Sequence, residues 1–193
     1  MPIATFGAIQ HKLANMATFA YVAEPMVYRS GAEVEKNQAR LKEGGMSAQE
    51  AYLKGIEEYA IECSINKVLP SEFLATVSDE GVQVYGGMGY SGEAPMEAAY
   101  RDARISRIYE GTNEINRMLC VGMILKSAMK GGIDIMTPGM KLGAEVKAGA
   151  YDKMPEDKKL FADEHWMITK MKKAVIMVLG SAAMKYMKKL NDE

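Results

Sequence analysis

The chain has 193 residues, 48% of them hydrophobic, with 24 Lys and Arg against 25 Asp and Glu and a formal net charge of −1. That length buries the core of one domain or one and a half, and the near-neutral balance excludes a dedicated nucleic-acid binder. Cys63 and Cys120 have no CxxC spacing, which excludes a disulfide framework or a zinc-cysteine site, and His11 and His165 alone cannot build a multi-histidine metal centre.

Seventeen Met against one Trp and four Phe point to helices packed by flexible side chains rather than to an aromatic β core. The start, MPIATFGAIQHK, has no charged segment leading into an apolar one, and no run reaches the length of a membrane span. A reducing, cytoplasmic setting is the expectation.

Phe6, Ile9, Leu13, Met16, Ala20, Ala23 and Val27 recur at spacings of three and four, which predicts one face of a long helix, bent or opened at Pro25. No glycine-rich or hydrophobic segment precedes it, so the chain is expected to begin inside a larger architecture. Residues 31–49, polar and carrying Gly44-Gly45, read as the end of this helix and a solvated loop. Ser47 with Glu50 is a capping-box signature for the next helix. Leu53, Ile56, Ala60 and Cys63, then Leu74, Val77, Gly81 and Val84, predict one long helix kinked at Pro70.

The stretch from Gln83 to Arg117, QVYGGMGYSGEAPMEAAYRDARISRIYEGTNEINR, organises the rest. Its glycine clusters, Gly86 to Gly89 and Gly111, read as helix end, turn, short helix from Pro95, turn and helix start. Arg101, Asp102 and Arg104 predict a local ion-pair set at the end of the short helix. Thr112 or Asn113 can cap the helix that follows, and a helix N-terminus exposes N–H groups suited to a phosphate or a developing oxyanion. Glu110 lies at that mouth. On residue type alone it reads as a solvated turn carboxylate or as a general base.

After Thr112, the residues Ile115, Met118, Gly122, Leu125 and Met129 mark one more helical face. Four amphipathic helices predict an all-α fold, a four-helix up-and-down bundle over residues 1–129 with predominantly antiparallel neighbours. No segment alternates apolar and polar residues, so strand content is expected near nil, and GGMG at a helix end is neither a Rossmann nor a Walker loop. Residues 130–157, rich in glycine and small residues, read as a linker packed over the bundle.

Residues 158–193 read as an additional helix on which Val175, Leu179, Ala182, Tyr186 and Leu190 share a face. The run AVIMVL (174–179) is apolar nearly all round, which implies burial against something more. Between Lys158 and Glu193 there are eight Lys against four acidic residues, with Lys170, Lys172 and Lys173 before that run and Lys185, Lys188 and Lys189 after it. The preferred reading is a helix docked on a partner subunit or a further domain; the other is a basic helix lying on an anionic membrane.

The runs QVYGGMGY and AYRDARISRIYEGTNEI resemble the C-terminal helical domain of the flavin-dependent acyl-CoA dehydrogenases, above all their very-long-chain branch, from about Phe6 to Lys126. The segment after the bundle is similar to the start of that branch's extra helical region. The resemblance implies FAD-dependent chemistry of fatty-acid β-oxidation: a carboxylate removes the α-proton of an acyl-CoA and the β-hydrogen passes as hydride to the flavin, leaving a trans-2-enoyl-CoA. Very-long-chain members carry the base in a Phe-Glu-Gly-Thr-Asn-Asp run, where this chain has Tyr109-Glu110-Gly111-Thr112-Asn113-Glu114.

Glu110 is thereby the implied catalytic base, with its backbone donating to the thioester oxygen. Tyr109 and Gly111 are implied to line the acyl-thioester site, and Thr112, Asn113 and Glu114 to lie along FAD. Gln83, Val84, Tyr85, Gly86 and Gly87 are implied to touch the adenosine-diphosphate end of FAD bound by a neighbouring subunit. No metal ligand is implied. The family's flavin-holding Arg motif, just upstream of the first helix, is absent, as are its N-terminal helical and β domains. The expectation is a C-terminal part that neither retains FAD nor turns over alone. Implied partners are the acyl-CoA substrate, an electron-transfer flavoprotein or similar acceptor, and copies of the chain in a homo-oligomer. The contrasting expectation is a non-catalytic helical interaction or membrane-surface module, with Glu110 an ordinary surface residue.

Overall fold

In the computed structural model, which describes residues 1–149, 153, 156 and 159–186, all regular structure is helical and no strand occurs among the described residues. A 3-10 turn over Ile3–Thr5 leads into α1 (Gly7–Glu43), α2 (Ala48–Glu58) and α3 (Ala60–Tyr85). A second 3-10 turn (Gly86–Tyr90) precedes α4 (Pro95–Ile105), α5 (Asn113–Met129), α6 (Met136–Lys147) and α7 (Ala162–Tyr186). The described residues fall into two compact units, Met1–Met123 and Ile124–Glu193. The all-α class expected from the sequence is the class observed.

Helix α1 runs through Pro25 and on to Glu43, so most of the polar stretch expected to be loop is helical. Its charges have partners in the helical arrangement. Lys36 pairs with Glu33 at 2.9 Å, and Arg40 donates to Asn37 Oδ1 at 2.6 Å and to Glu58 of α2 at 3.3 Å. The helix stops only at Gly44-Gly45, where Gly45 takes φ 91°. The covered face of α1 follows Ile9, Lys12, Met16, Phe19, Ala23 and Met26, while Phe6, Leu13 and Val27 of the expected stripe stay exposed. Phe19 stacks on Phe73 of α3 with ring centroids 4.8 Å apart, and Lys12 forms an ion pair with Glu80.

The capping box that opens α2 forms as read: Ser47 Oγ accepts from the Glu50 N–H and the Glu50 carboxylate accepts from the Ser47 N–H, each at 3.3 Å. The break in the following helical stretch lies at Tyr59, not at Pro70, which sits within α3. The end of α2 is held on α1, because Glu58 accepts from Asn37 Nδ2 at 2.7 Å as well as from Arg40. Pro70 removes one main-chain donor from α3, and the helix continues through it.

The buried line of α3 is Ser64, Val68, Ser71, Ser78 and Gly81, whereas Leu74 and Cys63 of the expected stripe are exposed. Small residues let neighbours approach closely, and the hydroxyls are satisfied on their own helix: Ser71 Oγ donates to Val68 O at 2.8 Å and Ser78 Oγ to Ala75 O at 3.1 Å. Helix α3 lies against α1 on one side and α4 on another, where the Met96 side chain rests on Gly81. Arg101 pairs with Glu97 at 2.6 Å, one turn back on α4, and Asp102 forms no ion pair among the described residues. On α5 the expected face is also displaced: Ile115 and Met118 are exposed, and Asn113 and Asn116 are buried.

In the second unit, the stretch read as a linker contains α6. Asp134 Oδ1 accepts from the Thr137 N–H at 3.0 Å and so serves the first turn, and Gly139 lets α6 lie close to Ile176 of α7. Val175 and Val178, in the apolar run of α7, are exposed. Lys158, Lys188, Lys189 and Leu190, on which part of the C-terminal reading rests, lie outside the described residues.

Candidate functional site

The connection from α4 to α5 is a tight loop with a specific reason for each turn. After α4 the chain makes two more turns, with the Ile108 and Tyr109 N–H groups donating to Ile105 O at 2.8 and 3.2 Å. Glu110 and Gly111 then both take positive φ, 56° and 78°. Glycine tolerates this region freely, whereas a glutamate there is strained by roughly 1–2 kcal/mol and persists only where its surroundings over-determine it. The Asn113 N–H reaches back to Arg107 O at 3.1 Å and closes the loop, and Thr112 Oγ1 caps α5 by accepting from the Ile115 N–H at 3.3 Å.

Two side chains that sequence reasoning did not single out grip this loop. Asn116 Nδ2 donates to the carbonyls of Glu110, Gly111 and Thr112 at 3.3, 3.0 and 3.1 Å. Lys67, on α3, donates to Gly111 O and to Asn113 Oδ1, both at 2.7 Å. No local pattern announces either residue. Lys67 is remote in sequence, and an Asn inside the first turn of a helix is usually read as a weak helix former.

Asn113 anchors the loop to α3 and is only 1% exposed. Its Nδ2 donates to Ser71 Oγ at 2.9 Å and to Glu72 Oε1 at 2.8 Å. Glu72 also receives Arg107 and Arg117, at 3.4 and 3.3 Å. The hydrogen bond from Asn113, with the two guanidiniums, holds the Glu72 carboxyl below the usual carboxylate range. The Glu114 carboxyl is likewise lowered, by its own main-chain N–H and the Thr112 hydroxyl.

The predicted site residues therefore fall into two groups. Tyr109, Glu110, Gly111 and Glu114 form an exposed rim around the loop, with Thr112 half-buried. Within that rim the N–H groups of Glu110, Gly111 and Thr112 meet no acceptor among the described residues. Successive amides left free in a left-handed turn make a concavity that suits an anion or an oxyanion. Asn113 differs from the others because its side chain is turned inward and fully engaged.

The second group lies at the C-terminal end of α3. Gln83 and Tyr85 are exposed, Val84 is half-buried, and the helix is ended by Gly86 with φ 62° and ψ −146°. A side chain added at Gly86 or Gly87 would meet no atom within 4 Å, so the backbone there is open to close approach. Gly89, by contrast, is enclosed: a Cβ would stand 2.5 Å from Val82 O and 2.8 Å from Tyr85 Cβ. Twelve residues of helix separate Ser71, beside the loop, from Gln83, a rise of roughly 18 Å. The two groups cannot contact the same small moiety of a ligand.

A profile described as the acyl-CoA dehydrogenase C-terminal domain matches residues 1–124. A probable acyl-CoA dehydrogenase of Bacillus subtilis (strain 168) is 39% identical over 194 residues, which takes in 100% of this chain and 32% of that protein. The mitochondrial very long-chain specific acyl-CoA dehydrogenase of Rattus norvegicus is 39% identical over 116 residues, 60% of this chain and 15% of that protein. A crystal structure of an acyl-CoA dehydrogenase complexed with FAD, from Bacillus anthracis, matches with a TM-score of 0.92 and 43% identity, covering 100% of this chain and 32% of that one. The chain thus spans about a third or less of the length of these relatives.

Proposed function

Because the chain belongs to the acyl-CoA dehydrogenase family, through its C-terminal helical domain, we propose that it supplies the catalytic base and part of the flavin-binding surface of an FAD-dependent acyl-CoA dehydrogenase. The observation that carries the reading is the loop at residues 109–114, where Glu110 shares a turn with three main-chain N–H groups that meet no acceptor among the described residues. α-Proton abstraction from a thioester needs that pair of features: a base for the proton, and donors for the charge that develops on the thioester oxygen.

In this reading the Glu110 carboxylate takes the α-proton, the Glu110 N–H donates to the thioester oxygen, and Tyr109 and Gly111 bound the acyl-thioester. FAD, when bound, supplies the hydride acceptor. Thr112 and Glu114 lie along it, and the side chain of Asn113 contributes by anchoring the loop. Gln83, Val84, Tyr85, Gly86 and Gly87 fit the adenosine-diphosphate end, since the open backbone at Gly86-Gly87 admits a close diphosphate. The roughly 18 Å between the two groups favours FAD of a neighbouring subunit at this second site. A homo-oligomer is supported by the exposed apolar residues Leu13 and Val27 on α1.

Both groups lie on an open surface, so the remaining walls are assigned to parts of the enzyme outside this third of its relatives' length. The isolated chain is therefore expected to be colourless and inactive with acyl-CoA. An electron-transfer flavoprotein or similar acceptor is the proposed partner for reoxidation, and the exposed Val175 and Val178 of α7 support docking of that helix on a partner surface. The test is anaerobic addition of acyl-CoA to the full-length holoenzyme containing this chain. Bleaching of the flavin absorbance is expected, and a flavin that stays oxidised with every acyl length would overturn the proposal.

A further inference from the structure

We propose that Lys67 and Asn116 are positioning residues for the Glu110 loop, acting as a two-sided clamp that turns the Gly111 and Thr112 amides towards the substrate. The proposal rests on the reading of Glu110 as base. The argument starts from peptide geometry. In a planar trans peptide the C=O of one residue and the N–H of the next point in opposite directions. Asn116 Nδ2 draws the carbonyls of Glu110, Gly111 and Thr112 to one point, so the N–H groups of Gly111, Thr112 and Asn113 face away from it. The Asn113 N–H is used by Arg107 O, and those of Gly111 and Thr112 are left on the open side.

Lys67 grips the same loop from α3. Gly111 O accepts from Lys67 Nζ at 2.7 Å and from Asn116 Nδ2 at 3.0 Å, which occupies both of its lone pairs and fixes the plane of the following peptide. Because Lys67 also holds Asn113 Oδ1, the loop and the first turn of α5 are tied to one ammonium. The left-handed conformation of Glu110 is what the clamp maintains. Without it, Glu110 relaxes to negative φ, which changes the direction of its side chain relative to the Gly111 and Thr112 amides. Neither Lys67 nor Asn116 needs to touch substrate or cofactor for this role.

The test uses Asn116→Leu, which keeps most of the volume and removes the donors, together with Lys67→Met and Lys67→Arg. In the 193-residue chain, NMR couplings and shifts that report φ at Glu110 are expected to move to negative φ in Asn116→Leu and Lys67→Met and to stay in place in Lys67→Arg, with helical circular dichroism unchanged. In the full-length holoenzyme the first two variants are expected to lower kcat about 10- to 100-fold, the cost of misplacing a reacting group by about 1 Å, with KM little changed. Lys67→Arg should recover most of the rate. Unchanged loop geometry overturns the proposal, as does altered geometry with an unchanged kcat. If Asn116→Leu unfolds the chain, the Lys67 pair carries the test alone. A Glu110→Gln enzyme that keeps turning over would remove only the reading of Glu110 as base, because the loop geometry is read in the free chain without catalysis.

Discussion

Replacing Asn113 by Ala should weaken this domain more than any other single change at the loop. The side chain is 1% exposed and makes three kinds of bond: a neutral one to Ser71, one to the Glu72 carboxylate at 2.8 Å, and one from the Lys67 ammonium at 2.7 Å. A neutral hydrogen bond contributes about 1 kcal/mol and one to a charged group about 1.5–3 kcal/mol, so the three sum to at least about 4 kcal/mol. Two discounts apply. The Glu72 side chain is 32% exposed and rehydrates partly, and Ser71 Oγ keeps its bond to Val68 O. A net loss of about 3 kcal/mol remains, corresponding to a fall in Tm of about 6–12 °C. Urea and thermal unfolding measure it, and amide hydrogen exchange at Asn113 should accelerate as its bond to Arg107 O loosens. A loss below about 1 kcal/mol with unchanged exchange would refute the account of Asn113 as the anchor of the loop.

Gly89→Ala should cost about 1–3 kcal/mol, because a Cβ there meets the immobile Val82 O at 2.5 Å, whereas Gly87→Ala, with no atom within 4 Å, should stay within about 0.5 kcal/mol; paired melting curves separate them. Glu72 has a folded pKa below its unfolded value, so its contribution is fully present above the unfolded value of about 4.3 and is lost as pH falls through the folded one. The stability difference between wild type and Glu72→Gln should therefore shrink with acidification below about pH 4, and a difference constant down to pH 2 would contradict the linkage. For the C-terminal helix, sedimentation should show little binding to neutral vesicles and at most weak, salt-sensitive binding to anionic ones. Binding that survives high salt would mean that the exposed Val175 and Val178 insert.

The sequence was most legible where local chemistry decides the outcome. Ser47 and Glu50 close their capping box, Pro95 opens α4, and Thr112 caps α5. The glycines at 86 and 111 take the positive φ that their turns demand. It was least legible where burial is decided by neighbours. On α3 the covered stripe is of serines, Val68 and Gly81, because close helix packing favours small residues; Gly81 belongs to the expected stripe, while its Leu74 and Cys63 are exposed. On α5 the covered face is set by Asn113 and Asn116, whose amides serve the loop, and the apolar Ile115 and Met118 are left outside. Residues 31–49 are polar and read as a helix end and a loop, yet α1 continues to Glu43, where pairing of Arg40 and Asn37 with Glu58 gives the polar side chains a helical use. At the loop itself, the turn at Glu110-Gly111 is legible in the chain, whereas the contacts of Lys67 and Asn116 depend on a fold that brings residues 44 and 5 positions from Gly111 onto one carbonyl.

The role of Glu110 is tested most directly by exchange of the substrate's α-hydrogen. With full-length holoenzyme and an acyl-CoA deuterated at the α-carbon, wild type should release deuterium to water on forming the bound anion. Glu110→Gln, nearly isosteric and unable to take the proton, should retain FAD and bind acyl-CoA while exchange and flavin reduction fall by at least about 100-fold. Exchange at close to the wild-type rate in Glu110→Gln would show that another group removes the proton, and would contradict the assignment of this loop as the catalytic one.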